Sequence, residues 1–537
     1  MHPLMEILMP EAVLILGATL VLLAGLSRAA SGRAALLALL TIAVALWLAG
    51  RLVDAPIEAA GVTSLHQGPL VWYARLITLS IGALIVLVNR HVPDEAERGE
   101  YFSLILFSLA GISLVAVANH LVLFFLALEL VSVPTYILIG LSRRDIRAQE
   151  AAGKYFFLGA FAAAIMLYGF SFLYGYAGTM TMFGSTGSIS ASLSAPGALH
   201  DPLILVGLLL SLAGMAFKIA AFPLHFYVAD VYQGAASPVT GLLGFVPKFA
   251  GFLALIQLLT LTGWRFGDEI YWLLWAMAAV TMTVGNTLAL MQHNVKRMLA
   301  YSGVAHSGYM LVAIVAGPAL ASPERGPLRD GLAALLFYMT VYGIMNLGCF
   351  TALSYFRKPG VDDPDESAET TDDLAGIARK HPWAALALSL CVLGLMGFPL
   401  TGGFIGKLYI ISAALSAGGE VVSGASAARQ TGMYVLVVLL ALNAAVAAAY
   451  YLRILASCYL RKATAALTPM RCHALQFSLA VCALIAIALF VRPGLLFGES
   501  KRAVGEVSKL SRRTAVVATN ELGEPPELNP IPPAADF

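Results

Sequence analysis

Four ionisable residues stand where the surrounding sequence is apolar: Glu129, Lys218, Lys248 and Lys407 each lie deep in a hydrophobic run. Lys218 falls some sixteen residues into LILVGLLLSLAGMAFKIAAFPLHFYVADVYQG, and Lys248 sits in SPVTGLLGFVPKFAGFLALIQLL. A lysine at mid-bilayer depth costs roughly 2.5 to 3.5 kcal/mol on insertion scales, so it persists where it faces a bundle interior, a wet cavity or a partner charge. A buried carboxylate and a buried lysine each prefer neutrality, but placed together they hold each other ionised. At about 4 Å and an effective dielectric near 20 such a pair is worth about 4 kcal/mol, or roughly three powers of ten in the lysine's proton affinity. Moving the glutamate away would release the proton near neutral pH. The chemistry on offer is proton transfer along buried lysines, switched by a carboxylate.

Other titratable side chains extend this set. His225 follows Lys218 by seven residues, on about the same helix face, and its ordinary pKa suits a proton shuttle; a satisfied core histidine fits the position as well. His306, in YSGVAHSGY, reads both ways too. Lys154 lies four residues after Glu150, which makes either an interfacial i,i+4 ion pair or a relay member. Arg453, in AAYYLRILASC, is a snorkelling side chain or a relay member. Glu129, Lys218, Lys248 and Lys407 form the principal candidate relay, with Lys154, His225 and His306 secondary.

The elements that must position these groups are membrane helices. The chain has 537 residues, 59% hydrophobic and 12% charged, about half the charge fraction of a soluble protein. Apolar runs predict fourteen spans near 8–27, 34–50, 69–89, 101–118, 121–141, 152–177, 203–228, 238–262, 270–291, 298–317, 328–355, 382–416, 431–460 and 474–491. Pro223 interrupts its helix, because it lacks an N–H and its ring clashes with the preceding turn; Pro247 is expected to do the same beside Lys248. AFKIAAFPLHFY around Pro223 and LMGFPLTGGFIGKLY around Pro399 share FPL with a lysine nearby, as in repeat-built transporters that place their sites at broken helices. The fold class is an all-α polytopic membrane protein with broken helices near Pro223 and Pro399.

Basic residues set the expected orientation. One set of connections holds sixteen lysines and arginines and the opposite set five, so the first set is expected in the cytoplasm and both termini outside. Residues 178–200, free of basic residues, read as a flexible external loop. Residues 357–381, with seven acidic residues in VDDPDESAETTDD, read as a solvated segment, and the polar tail 499–537 as an extended arm. No lysine or arginine precedes Arg28, so the first span is read as retained rather than as a cleaved signal. The five cysteines are scattered without CxxC spacing and read as core residues. The sequence carries no GxGxxG unit, Walker loop or nucleic-acid-binding basic run.

LELVSVPTYILIG, AGKYFFLGAFAAAIMLYG, PLHFYVADVYQGAASPVT, VKRMLAYSGVAHSGYMLV, GFPLTGGFIGKLY and AAYYLRI resemble the antiporter-like subunits of bacterial proton-pumping NADH:quinone oxidoreductase, respiratory complex I, and within them the subunit N group. The resemblance covers about residues 5 to 495. It implies fourteen helices in two inverted repeats: helices 1–3 in 1–100, a first repeat in 101–262, a second in 263–460, the last helix in 461–498 and the tail in 499–537. It matches Glu129, Lys218, Lys248 and Lys407 to the family's relay, and Lys154 and His225 to further polar positions of the path. Ala229 and Leu400 depart from prolines common in the family. The resemblance further implies a non-redox subunit of a translocase in the bacterial inner membrane, with neighbours M and K. No cofactor is expected on this chain; flavin, iron–sulfur clusters and quinone belong to partner subunits. A cation/proton antiporter subunit, and a scaffold whose buried charges only fix packing, are the alternatives.

Overall fold

The computed structural model describes residues 6–27, 31–52, 64–184, 186–265, 267–319, 329–358, 368–419, 427–463, 467–470 and 472–520. Its crossing helices are α1 (Met9–Gly25), α2 (Ala34–Arg51), α3 (Pro69–Val88), α4 (Arg98–Val117), α5 (Leu121–Ser142), α6 (Ile146–Ala177), α7 (Pro202–Lys218), α8 (Val228–Gly234), α9 (Ser237–Leu261), α10 (Asp268–Leu290), α11 (Val295–Ala316), α12 (Gly331–Tyr355), α13 (Pro382–Met396), α14 (Gly402–Gly419), α15 (Ala427–Leu460) and α16 (His473–Val491). With α7 and α8 counted as one interrupted crossing, and α13 and α14 as another, the described residues make fourteen crossings, at the positions expected from the apolar runs.

Helices apolar on every side go to the middle, because only there can all faces be covered by protein. The helices α9 and α12 are buried along their whole apolar length and pack against each other, with α11 beside them. The outer helices keep lipid-facing stripes, such as Phe157, Phe161 and Tyr168 on α6 and Val438 and Leu442 on α15. Close crossings need small residues, since lipid tails leave packing rather than hydrophobic exclusion to hold helices together. A Cβ at Gly285 of α10 would meet the Ala305 backbone of α11 at 2.5 Å.

An ion pair overlooked in the sequence staples the N-terminal helices. Arg75 of α3 donates to both carboxylate oxygens of Glu11 on α1, at 2.8 and 2.9 Å, and to the Ile7 carbonyl at 2.7 Å, while Ser113 of α4 donates to Glu11. Both charged residues are 1% exposed. Removing one partner leaves an uncompensated buried charge, a loss of about 3 to 5 kcal/mol. Arg75→Met should therefore sharply lower the thermal stability of the assembled protein, and Glu11→Leu in the same chain should recover much of it, read by the melting temperature of the detergent-solubilised complex.

Four expectations are corrected. Pro247 does not break its helix: α9 runs from Ser237 to Leu261 with Pro247 inside, because surrounding helices hold it in place where one backbone bond is missing. Residues 178–184 and 186–200 are packed rather than loose. Met182 and Ile189 are fully buried, the short helix Ile189–Leu193 is capped by Ser188, and Thr181 bridges to His120. In the acidic connection, 359–367 lie outside the described residues, but Ala368 and Leu374 are fully buried. Phe356–Arg357 (β1) pairs antiparallel with Thr468–Pro469 (β2). The tail is helical, not extended, from Pro493 to Asn520 (α17); Phe497, Val504 and Val507 recur at helical spacing and bury against α3 and α12. Its Pro-rich end from residue 521 lies outside the described residues.

Candidate proton path

Glu129 projects from α5 toward the end of α7, where Lys218 is the last helical residue. The Lys218 Nζ donates to Glu129 Oε1 at 3.0 Å, to Ser132 Oγ at 2.6 Å and more weakly toward the Leu128 carbonyl at 3.5 Å. Glu129 and Ser132 are three residues apart, hence neighbours on one helix face. Ser132 was missed in the sequence, although that spacing was legible. The glutamate side chain is 22% exposed and the lysine 7%, so the carboxylate sits on the outer side of the pair.

The chain turns between α7 and α8, with Ala220 at φ +57°, and side chains of α10, α11 and the turn itself satisfy the freed backbone groups. Thr281 accepts from the Phe222 N–H at 3.0 Å, Ser307 donates to the Ile219 carbonyl at 2.6 Å, and Tyr227 donates to the Phe217 carbonyl at 2.8 Å. Non-helical backbone at membrane depth is tolerated only with such partners or beside a cavity. Here both occur. A cavity of about 10 Å³ lies between Lys218 and Lys248, lined also by Tyr155, Tyr227 and Tyr232, which is close to the room one water requires.

Lys248 donates to the Gly303 carbonyl of α11 and reaches the Tyr342 hydroxyl at 3.4 Å, with its Nζ 5.2 Å from the centroid of that ring. His306 lies one turn further along α11. Its Nδ1 meets the Tyr338 hydroxyl at 2.7 Å and its Nε2 the Tyr451 hydroxyl at 3.1 Å, and Tyr451 bonds Ser302. The His306 ring also lies 4.8 Å from that of Tyr342, which Lys248 faces, and 5.6 Å from that of Tyr309, which Lys407 faces. Lys407 of α14 donates to the Leu395 and Met396 carbonyls at 3.2 and 2.8 Å. These are the last carbonyls of α13, the negative end of a helix dipole. Its Nζ stands 5.0 Å from the Tyr309 ring centroid, and Tyr309 joins a knot of Asn286, Asn443 and Tyr450. Among the described residues, no carboxylate contacts Lys248 or Lys407; Glu129 alone serves the row as a counter-charge.

The secondary candidates divide. His306 joins the row, while His225 is buried in the turn against Phe222 with no partner on Nδ1. Lys154 is away from the row, 44% exposed, with Glu150 Oε1 at 2.7 Å and Asp230 Oδ2 at 3.2 Å. That cluster borders a cleft of about 160 Å³ lined by Arg147, Glu150, Lys154, Asp230 and Gln233. Arg453 donates to the Leu290 and Gln292 carbonyls at 3.0 and 3.1 Å and so caps the end of α10. Tyr309, Tyr338, Tyr342 and Tyr451 were missed in the sequence, where a tyrosine in an apolar span reads as packing.

The chain matches known proteins over most of its length. Residues 118–431 match the family described as NADH:quinone oxidoreductase/Mrp antiporter, TM. It is 36% identical over 392 residues to the NADH-quinone oxidoreductase subunit N of Trichlorobacter lovleyi, covering 73% of this chain and 74% of that one. With the subunit N of Rhodospirillum rubrum the identity is 31% over 512 residues, covering 94% and 98%. A chain of respiratory complex I from Thermus thermophilus superposes with a TM-score of 0.72 at 30% identity, covering 91% of this chain and 98% of that one. A chain of the Mrp complex from Dietzia shares the fold, with a TM-score of 0.73 at 21% identity and 94% and 99% coverage. The family match over residues 118–431, together with subunit N relatives above 30% identity that are covered over more than two thirds of their length, shows that this chain belongs to the NADH:quinone oxidoreductase/Mrp antiporter family of membrane subunits, in its subunit N branch.

Proposed function

We propose that this chain carries protons across the bacterial inner membrane as a non-redox subunit of NADH:quinone oxidoreductase. The driving chemistry takes place on partner subunits, which in this reading hold the flavin, iron–sulfur clusters and quinone, with subunits M and K as neighbours. The observation that carries the reading is the asymmetry of the row: Lys218 has a carboxylate partner, whereas Lys248 and Lys407 rest on carbonyls and aromatic faces. A proton can reside on either of the latter without an ion pair being broken, and opening the Glu129 pair would push charge toward them. Glu129 modulates Lys218; protons pass by Lys248 and His306 to Lys407.

The test is purification of a tagged chain from native membranes. It should bring NADH:quinone reductase activity with it, and a chain that migrates alone and exchanges a cation for protons in vesicles would favour the antiporter alternative. The basic-loop side is read as cytoplasmic and both termini as periplasmic. A single cysteine at Ser367 in a cysteine-free background should then resist labelling by an impermeant reagent from outside, and outside labelling would reverse the topology.

A further inference from the structure

The connection between α12 and α13 brings a carboxylate to a place where two cations need one. Glu369 Oε1 accepts from Arg143, at the end of α5, at 3.0 Å and from Lys296, at the start of α11, at 3.2 Å. Lys296 is completely buried, and its Nζ also donates to the Ala235 carbonyl at 2.6 Å and the Gln233 carbonyl at 3.2 Å. Those carbonyls form the corner at which α8 turns into α9. The segment holding Glu369 is itself fixed. Asp373 accepts from the Glu369 and Thr370 N–H groups, the Val295 N–H donates to the Glu369 carbonyl at 2.6 Å, and Thr370 bridges to Asn294.

This clamp has a reach beyond its own contacts. On α11, Lys296 and Gly303 are seven residues apart, two turns along one face and about 10 Å in rise. Gly303 offers the carbonyl that holds Lys248, and Lys248 rides on α9, the helix that begins at the clamped corner. Fixing Lys296 to that corner therefore fixes α9 against α11 at the point where Lys248 meets its acceptor. Burial alone would raise the Glu369 carboxyl, but Lys296 and Arg143 outweigh it and hold the group below the usual carboxylate range. Among the described residues, the charged groups flanking the clamp have partners of their own. Asp230 is paired with Arg297 and Lys154, Asp373 with Lys358, and Arg144 with Asp94 and Glu97.

We propose that Glu369 is a positioning residue for proton transfer: it keeps Lys296 charged, and the charged Lys296 clamps the α8–α9 corner so that Lys248 stays seated on Gly303. The proposal rests on the proton-carrying function proposed above. Without the carboxylate, the buried ammonium loses the counter-charge that Glu369 supplies, holds its proton less tightly as pH rises and loosens the corner.

The test measures protons pumped per electron by the assembled enzyme in membrane vesicles, from acid to alkaline pH, for wild type, Glu369→Asp and Glu369→Gln. Glu369→Asp should keep most of the pumping; Glu369→Gln should fall several-fold at alkaline pH and recover in acid, where Lys296 regains its proton. A second readout does not depend on pumping. Cysteines at Asn294 and Thr370 should cross-link readily in the assembled complex and several-fold less when Glu369→Gln is added. Wild-type pumping by Glu369→Gln at every pH, or a loss that is flat with pH, overturns the positioning role. Undiminished cross-linking overturns the clamp itself. Failure of the wild-type enzyme to pump contradicts the proposed function instead, and the cross-link still decides whether Glu369 docks the connection.

Discussion

Lys218→Ala and Lys407→Ala should each abolish most of the proton translocation that passes through this chain, while reduction of an artificial acceptor by NADH continues. Removing a group that receives and donates the proton at each turnover costs about 10²–10⁴-fold in a transfer step. The two variants differ in their structural side effects, and that difference separates relay from scaffold. Lys218→Ala strands Glu129, whose carboxylate would keep no cationic partner, so some loss of stability is expected. Lys407→Ala strands no charge; it frees two helix-end carbonyls and a face of Tyr309. A scaffold would lose stability, more from the first than from the second, and keep its pumping where it assembles, whereas a relay loses pumping from both. Proton uptake and acceptor reduction recorded in the same vesicles decide the matter, and near-normal pumping in both variants would favour the scaffold.

What the sequence revealed and what it hid follow from the range of each interaction. The breaks at Pro223 and Pro399 were legible because a proline, a lysine and an uninterrupted apolar run are all local. Pro247 carries the same local signal, yet α9 stays whole, since packing on every side decides whether a helix survives one missing bond. Glu129 and Lys218 could be paired on paper because each was too costly alone. Glu11 and Arg75 could have been paired by the same reasoning, but each falls near the end of its run, where a charge looks interfacial. Glu369 was hidden by its neighbours: in a run of acids it reads as solvated, and its partners Arg143 and Lys296 lie 226 and 73 residues away. The hydroxyls around His306 come from α12 and α15, and no spacing rule in one sequence links those spans. In α17 the apolar residues did recur at helical spacing, but the Pro-rich end beyond it drew the whole tail toward an extended reading.

Glu129 is assigned a different task from the lysines, and its variants should behave differently. A carboxylate that only holds Lys218 charged can be replaced by another acid of nearly the same reach, so Glu129→Asp should retain much activity. Glu129→Gln keeps the shape and an acceptor for Lys218 but removes the charge, withdrawing several kcal/mol of support from the ammonium. The sign is fixed by that loss: the charged lysine survives only at lower pH. Pumping by Glu129→Gln should therefore fall strongly at neutral pH, fall further as pH rises, and partly recover in acid. The most direct measurement is the pH profile of protons pumped per electron in vesicles for wild type, Glu129→Asp and Glu129→Gln. A loss in Glu129→Gln that shrinks toward acid pH, with Glu129→Asp close to wild type, is the predicted result; wild-type pumping by Glu129→Gln throughout, or a loss independent of pH, would contradict the paired switch.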